Sequence, residues 1–232
     1  HGLVGESGSG KTTLGRSILH LAQLMSGSIL YQGKPINLDH PDDRSKFRKS
    51  MQIIFQDPYA SLNPRLTIEQ TLLEPMNVHG IGSSRKERIE RVINLLEEVG
   101  LGEEYLHRYP HEFSGGQRQR ICVARALTTE PEFIVCDECV SAMDVSVQAQ
   151  VLNLLRSLQA SRNLTYLFIS HDLGVVKFMS DEISVMQNGK IVENGLADDL
   201  YRSPKSDYTR KLLNSIPLAN RSANFQINRP SV

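Results

Sequence analysis

Three features of the sequence predict an α/β fold, with a mostly parallel sheet around a phosphate-binding core and an inserted helical subdomain. The first is Gly5-Glu6-Ser7-Gly8-Ser9-Gly10-Lys11-Thr12, a glycine-rich loop between a short apolar run, Leu3-Val4, and a segment of helical apolar spacing, Thr13 to His20. The second is Phe133-Ile134-Val135-Cys136, an unbroken apolar run that ends in Asp137-Glu138. Continuous apolarity suits a strand buried on both faces of a parallel sheet. The third is helical periodicity between these two motifs, above all from Ser84 to Val99.

The elements follow in order. Gly27 to Gly33 reads as strand and turn, and Met51 to Phe55 as an apolar strand with Gln56 at its end. In the helix from Ser84 to Val99, Ser84 and Glu87 form a capping-box pair. Ile89, Val92, Ile93, Leu96 and Val99 make its apolar stripe, and Gly100 is the stop. Its charge-rich face, Arg85 to Arg91, is expected to be solvated surface. A helix from Arg118 to Leu127 sets Ile121, Ala124 and Leu127 on one face. Asp144 to Ala160 is a second periodic helix, with Val147, Val151, Leu154, Leu155 and Leu158 inward. Thr165 to Ser170 is a strand, and Met186 to Val192 a hairpin around Asn188-Gly189. The organisation expected is a core of residues 1–56 and 129–200 and a helical subdomain at 57–128. A C-terminal extension follows at 201–232, polar and disordered after about residue 218.

Composition narrows the function. A chain of 232 residues can bury a substantial core. Its 26 basic and 26 acidic residues cancel, so no global field points to nucleic acid or an anionic membrane. No apolar run is long enough to cross a bilayer and no secretory signal opens the chain, so a membrane role would come through a protein partner. Three cysteines without framework spacing suit a reducing cytosol. Cys136 and Cys139 form a CxxC, but no second ligand pair stands at zinc spacing. Asp137 and Glu138 between them disfavour a reactive thiolate, which leaves packing as their role.

The chemistry lies in three motifs. In the loop at 5–12 the glycines let successive backbone N–H groups point at phosphate oxygens. Lys11 reaches the β- and γ-phosphates, the Thr12 hydroxyl can ligate Mg²⁺, and the following helix N-terminus favours negative charge. Acids at the carboxyl end of a buried strand lie where ligands bind in open α/β sheets. Asp137 is placed to bind Mg²⁺ through water, and Glu138 to orient or deprotonate an attacking water. The third motif, Phe113-Ser114-Gly115-Gly116-Gln117, exposes N–H groups and a hydroxyl at the start of a helix. Two phosphate-binding elements about 100 residues apart invite a dimer in which each chain serves the other's nucleotide.

Together GESGSGKT, FSGGQ, FIVCDE and the later His171 resemble an ATP-binding subunit of the ABC transporters, over residues 1 to 217. The resemblance implies a phosphate-loop NTPase core, with ATP on Gly5, Glu6, Ser7, Gly8, Ser9, Gly10, Lys11, Thr12 and Thr13. It implies Mg²⁺ at Thr12, Gln56 and Asp137, and catalysis by Glu138, Gln56 and His171. Gln56 resembles the glutamine that touches Mg²⁺ and the attacking water and relays nucleotide state to the membrane subunit. His171 resembles the histidine that contacts the γ-phosphate. Ser114, Gly115, Gly116, Gln117 and Asp144 would serve the ATP of a partner subunit, Asp144 within Ser141-Ala142-Met143-Asp144, a loop that crosses the dimer interface.

Two stretches, Phe55 to Arg65 (FQDPYASLNPR) and Asp144 to Gln150 (DVSVQAQ), are similar to oligopeptide and dipeptide importer ATPases. So is the tail from Ser203-Pro204 through Tyr208-Thr209 and Leu212-Leu213 to Ile216-Pro217. Some members of that group carry cysteines for an iron–sulfur cluster there; this tail has none, so no cluster is expected. Cys139 stands where the family usually has proline, and Met143 where it has leucine; activity should survive both. The start of the chain, close to the phosphate loop, suggests an N-terminally truncated cassette whose adenine-stacking residue lies upstream of residue 1.

The resemblance implies an ATP-hydrolysing subunit of a peptide-type importer, peripheral on the cytoplasmic face of the inner (plasma) membrane. Its partners would be membrane-spanning permease subunits and a homo- or heterodimeric ATP-binding subunit, with no nucleic acid and no direct membrane insertion. The alternatives are a soluble ABC-type ATPase acting as a clamp in translation or DNA repair, and a phosphate-loop kinase that would need neither FSGGQ nor His171. Peptides, nickel and glutathione remain open as cargo.

Overall fold

The computed structural model describes residues 1–36 and 38–215. The polar stretch after residue 218, and Ile216-Pro217 before it, lie outside these residues. In chain order the first elements are β1 (Gly2–Val4), α1 (Lys11–Ile18), β2 (Leu30–Tyr31), β3 (Lys34–Pro35), α2 (Pro41–Ser50) and β4 (Met51–Ile54). Helices α3 (Pro58–Ser61), α4 (Ile68–Val78), α5 (Arg85–Glu98) and α6 (Gly115–Leu127) follow. Next come β5 (Phe133–Asp137), α7 (Val145–Arg162), β6 (Thr165–Ser170) and α8 (Leu173–Met179). The last elements are β7 (Glu182–Gln187), β8 (Lys190–Leu196), α9 (Ala197–Arg202) and α10 (Asp207–Asn214). Contacts divide the chain into two units, one of His1–Lys11 with the chain from Phe168 onward and one of Thr12–Leu167.

In the first unit β1 lies between β6 and β7 and is parallel to both, with Val4 opposite Ser170 and Val185. Its three residues are buried, as a strand covered on both faces must be. A Cβ on Gly2 would stand 2.2 Å from Val176 Cγ1, so glycine lets α8 seat closely on the strand. Strands β7 and β8 form the hairpin expected around Asn188-Gly189, whose φ values of 48° and 78° are those of a type I′ turn.

In the second unit β4 runs parallel to β5, with Ile54 opposite Cys136. Helix α6 is the hub, touching α3, α4, α5, α7 and β4. That placement buries Ile121, Cys122, Val123, Ala124, Ala126 and Leu127, a wider surface than the one face expected. The helix also begins at Gly115, three residues before the predicted start. Its N-terminus is closed by a capping box: Gln117 N donates to Ser114 Oγ, and Ser114 N to the Gln117 side chain.

The second unit corrects three expectations. In α5 Ser84 does cap the helix by accepting from Glu87 N, but the Glu87 carboxylate reaches past the cap to Ser83, accepting from its N–H at 2.7 Å and its hydroxyl at 2.6 Å. The box is therefore half-formed, because Ser83 offers two donors where the Ser84 backbone offers one. The Arg85 to Arg91 face is not plain solvated surface. Arg85 pairs with the nearly buried Glu69 of α4, and Arg88 donates to Ile81 O, Gly82 O and Asn77 Oδ1. Arg91 bridges Glu87 and Glu130. Along α7 the buried residues are Val151, Leu152, Leu155 and Leu158, with Val147 and Leu154 only half-buried.

Candidate nucleotide site

The phosphate loop belongs to the first unit up to Lys11, and its glycines have geometric causes. A Cβ on Gly5 would stand 2.2 Å from the Met186 carbonyl oxygen and 2.8 Å from Ser9 Oγ, so only glycine lets the loop leave β1 against β7. Gly8 and Gly10 have φ of 80° and 104°, in the region that favours glycine. The loop is tied to the hairpin turn by Gly189 N donating to Ser9 O at 2.9 Å. Lys11 is buried, 4% exposed. Its ammonium donates to Gly5 O at 2.8 Å and Glu6 O at 2.9 Å, which offsets the cost of removing the charge from water. Glu6, Ser7 and Gly8 are exposed at the loop's crest. His171 is exposed directly after β6, and Asp172 beside it caps α8 through Gly174 N and Val175 N.

The second unit starts at Thr12 and includes Thr12, Gln56 and Asp137, the side chains expected at Mg²⁺. Thr12 Oγ1 donates to Asp137 Oδ1 at 2.9 Å across 125 residues of sequence. Asp137, 4% exposed, ends β5 as expected. No cluster of three or more His, Cys, Asp or Glu that could hold a metal occurs among the described residues. One carboxylate and one hydroxyl fit Mg²⁺, which takes one or two protein oxygens and completes its octahedron with phosphate and water. Thr13 follows, exposed on α1.

Glu138 has a φ of 49°, a left-handed conformation that costs a non-glycine residue about 1–2 kcal/mol. The strained turn is held from behind. Ser141 donates to the Glu138 carbonyl through its N–H (3.1 Å) and its hydroxyl (2.9 Å), and Gln56 Nε2 donates to Ser141 Oγ at 3.3 Å. Gln56 and Glu138, distant in sequence, are thus linked through one hydroxyl. Asp144 caps α7 by accepting from Val147 N.

At the start of α6, a Cβ on Gly116 would meet Val147 Cγ1 at 2.4 Å, whereas one on Gly115 would meet nothing within 4 Å. Gly116 therefore serves close packing on α7, and Gly115 leaves its backbone N–H approachable. The Cys136 and Cys139 side chains are buried, and contact with the Cys139 thiol together with burial holds the Cys136 thiol well above its ordinary range. That suits packing.

Three contacts at or near these motifs had no separate signal in the sequence. Ser141 bridges Gln56 and Glu138, as above. The Arg118 guanidinium lies 3.6 Å from the Tyr59 ring centroid and donates to Pro110 O, joining α6 to α3 and to the segment just before α6. In the first unit Glu6 N donates to the Tyr208 hydroxyl at 3.1 Å, across 202 residues.

The ABC transporter family profile matches residues 1–141. The chain is 54% identical over 220 residues to the oligopeptide transport ATP-binding protein OppF of Bacillus subtilis, covering 94% of this chain and 72% of that one. It is 52% identical to the dipeptide transport ATP-binding protein DppF of Lactococcus lactis, over 93% of this chain and 70% of that one. Among solved structures it resembles cbiO1 of Clostridium perfringens, with a TM-score of 0.77, 26% identity and coverage of 95% and 85%. It also resembles a post-hydrolysis dimer of the ATP-binding cassette MJ0796 bound to ADP and Pi, with a TM-score of 0.73, 28% identity and 84% coverage of both chains. The chain belongs to the ABC transporter family and is one of its ATPases.

Proposed function

We propose that this chain is the ATP-binding and ATP-hydrolysing subunit of a peptide-type importer, working as a dimer beneath membrane-spanning permease subunits. The single observation that supports the chemistry best is the Thr12–Asp137 pair at 2.9 Å, with Glu138 next along the same strand end. Hydroxyl and carboxylate together suit Mg²⁺, which when bound neutralises phosphate charge. The N–H groups of the loop from Gly5 to Gly10 cradle the phosphates, and Lys11 turns its ammonium from the loop carbonyls to the β- and γ-phosphates. Glu138 is suited to accept a proton from the attacking water, Gln56 to contact that water and His171 to contact the γ-phosphate.

The N–H groups at Gly115 and Gly116 start a helix without i−4 partners and suit an anion, which favours contact with the nucleotide of a second chain. Ser114, Gln117 and Asp144 border that contact. Side chains of Ser114 and Gln117 hold the capping box, so the backbone is the main donor set.

Peptide transport rests on the relatives OppF and DppF. A groove of about 530 Å³, lined by residues 59–64 with Leu66, Thr71, Glu74 and Arg125, is the surface we assign to the permease. No described helix is long and apolar enough to cross a membrane, so attachment to the cytoplasmic face is assigned to that contact. The test is peptide uptake in cells lacking their own importer ATPases, supplied with this chain and its permease genes. Uptake that is restored by the wild type and lost with Lys11→Ala supports the proposal; restored uptake of a non-peptide cargo alone overturns the peptide assignment.

A further inference from the structure

The phosphate loop touches a residue far outside the motifs that define it. Tyr208, at the start of α10 in the C-terminal extension, is 9% exposed, and its hydroxyl accepts the N–H of Glu6 at 3.1 Å. The other side of the same residue is also fixed. Glu6 O accepts from Lys11 Nζ at 2.9 Å and from Ser9 N at 3.1 Å, and the neighbouring Gly5 O accepts from Lys11 Nζ at 2.8 Å. The entry to the loop is therefore held at its amide by Tyr208 and at its carbonyls by the phosphate-binding lysine.

Tyr208 itself stands on a braced frame. The Glu193 carboxylate of β8 accepts from Lys205 N at 2.8 Å and Ser206 N at 2.9 Å, and Ser206 Oγ accepts from Tyr208 N at 3.2 Å. A tyrosine needed only for packing would require neither the hydroxyl contact nor this brace.

We propose that Tyr208 is a positioning residue for nucleotide binding. It fixes the Gly5–Glu6 entry of the phosphate loop, and through the shared carbonyls sets where the Lys11 ammonium starts. The C-terminal extension then tunes ATP affinity without touching the nucleotide. The inference rests on the ATPase assignment above.

The test is titration of the whole chain with Mg-ATP, wild type against Tyr208→Phe, which keeps the ring and removes the hydroxyl. Loss of one hydrogen bond predicts a Kd about 3- to 10-fold higher with the number of binding sites unchanged. A merely structural role would instead reduce the number of sites at unchanged Kd, because it changes how much protein is folded. Glu193→Gln should raise Kd by a smaller factor, and the double variant should bind no more weakly than Tyr208→Phe alone, since both act through one contact. Wild-type affinity in Tyr208→Phe overturns the inference while leaving the ATPase assignment standing. A wild-type chain that does not bind Mg-ATP overturns that assignment and the inference with it.

Discussion

The Gln56 side chain donates to the Ser141 hydroxyl at 3.3 Å, and that hydroxyl donates in turn to the Glu138 carbonyl. A residue proposed to sense nucleotide is so joined to the backbone of the proposed base, whose left-handed turn needs support. Ser141→Ala removes the bridge but no group assigned to ATP. Turnover should fall about 3- to 10-fold, the worth of roughly one hydrogen bond, with the Kd for Mg-ATP unchanged. Steady-state ATPase assays beside equilibrium titration check this; a rise in Kd without loss of turnover contradicts it.

The two glycines of FSGGQ should respond differently. A Cβ at Gly116 collides with Val147, so Gly116→Ala should lower the melting temperature as well as activity. At Gly115 a Cβ meets nothing in the chain, so Gly115→Ala should leave the melting temperature intact and weaken only ATP-driven dimerisation. Thermal melts and size-exclusion runs with ATP separate the two outcomes. Equal destabilisation by both would contradict the assignment of Gly115 to a second chain's nucleotide.

The groove makes a separate prediction. Ser61 O accepts from Arg125 Nη1 and the Tyr59 ring lies against Arg118, so the groove wall is anchored to α6. Asn63 and Pro64, which line the groove, and the neighbouring Arg65 are exposed. Substituting alanine for Asn63 and Arg65 should cut peptide uptake roughly tenfold or more, the scale of an interface hot spot. ATPase activity of the isolated chain should stay near the wild-type rate. Equal losses in both assays would mean that the loop is only structural.

A pH dependence follows from Glu193. Burial alone would raise its carboxyl, but the N–H groups of Lys205 and Ser206, which donate to it at 2.8 and 2.9 Å, and the Lys205 charge bring it below the ordinary value. The folded form therefore binds the proton less readily than the unfolded one. The stability this group contributes is fully present above its unfolded pKa, near 4.5, and is lost as pH falls through the lower folded value. Glu193→Gln should accordingly melt below the wild type at neutral pH, and the difference should vanish in strong acid. A constant difference across that range would contradict the carboxylate's role.

Much of this was legible in the sequence where the signal is local. The Thr165–Ser170 strand, the Asn188-Gly189 turn and the Ser84 cap depend on residues within a turn of one another. The acid pair at the end of β5 was readable because a continuous apolar strand advertises its own end. What was not legible depends on which elements meet. The burial of α6 on almost every side reflects five neighbours, and periodicity reports only one face. Glu87 chose Ser83 over the cap because of donor geometry, and Arg88 found carbonyls at 81 and 82 that no charge pattern announces. The Tyr208–Glu6 bond spans 202 residues, and a tyrosine near the C-terminus reads as a packing residue until the fold brings it to the loop.

The central claim is that Glu138, next to the Thr12–Asp137 pair, is the base for ATP hydrolysis. Its most direct test is the Mg-ATPase rate of Glu138→Gln against the wild type, with nucleotide affinity measured in parallel. The amide keeps the size of the side chain and cannot take a proton. Turnover should fall by about 10²- to 10⁴-fold, the usual worth of a general base, while Mg-ATP binds with wild-type affinity and holds the chain as a dimer. Hydrolysis near the wild-type rate would contradict the account.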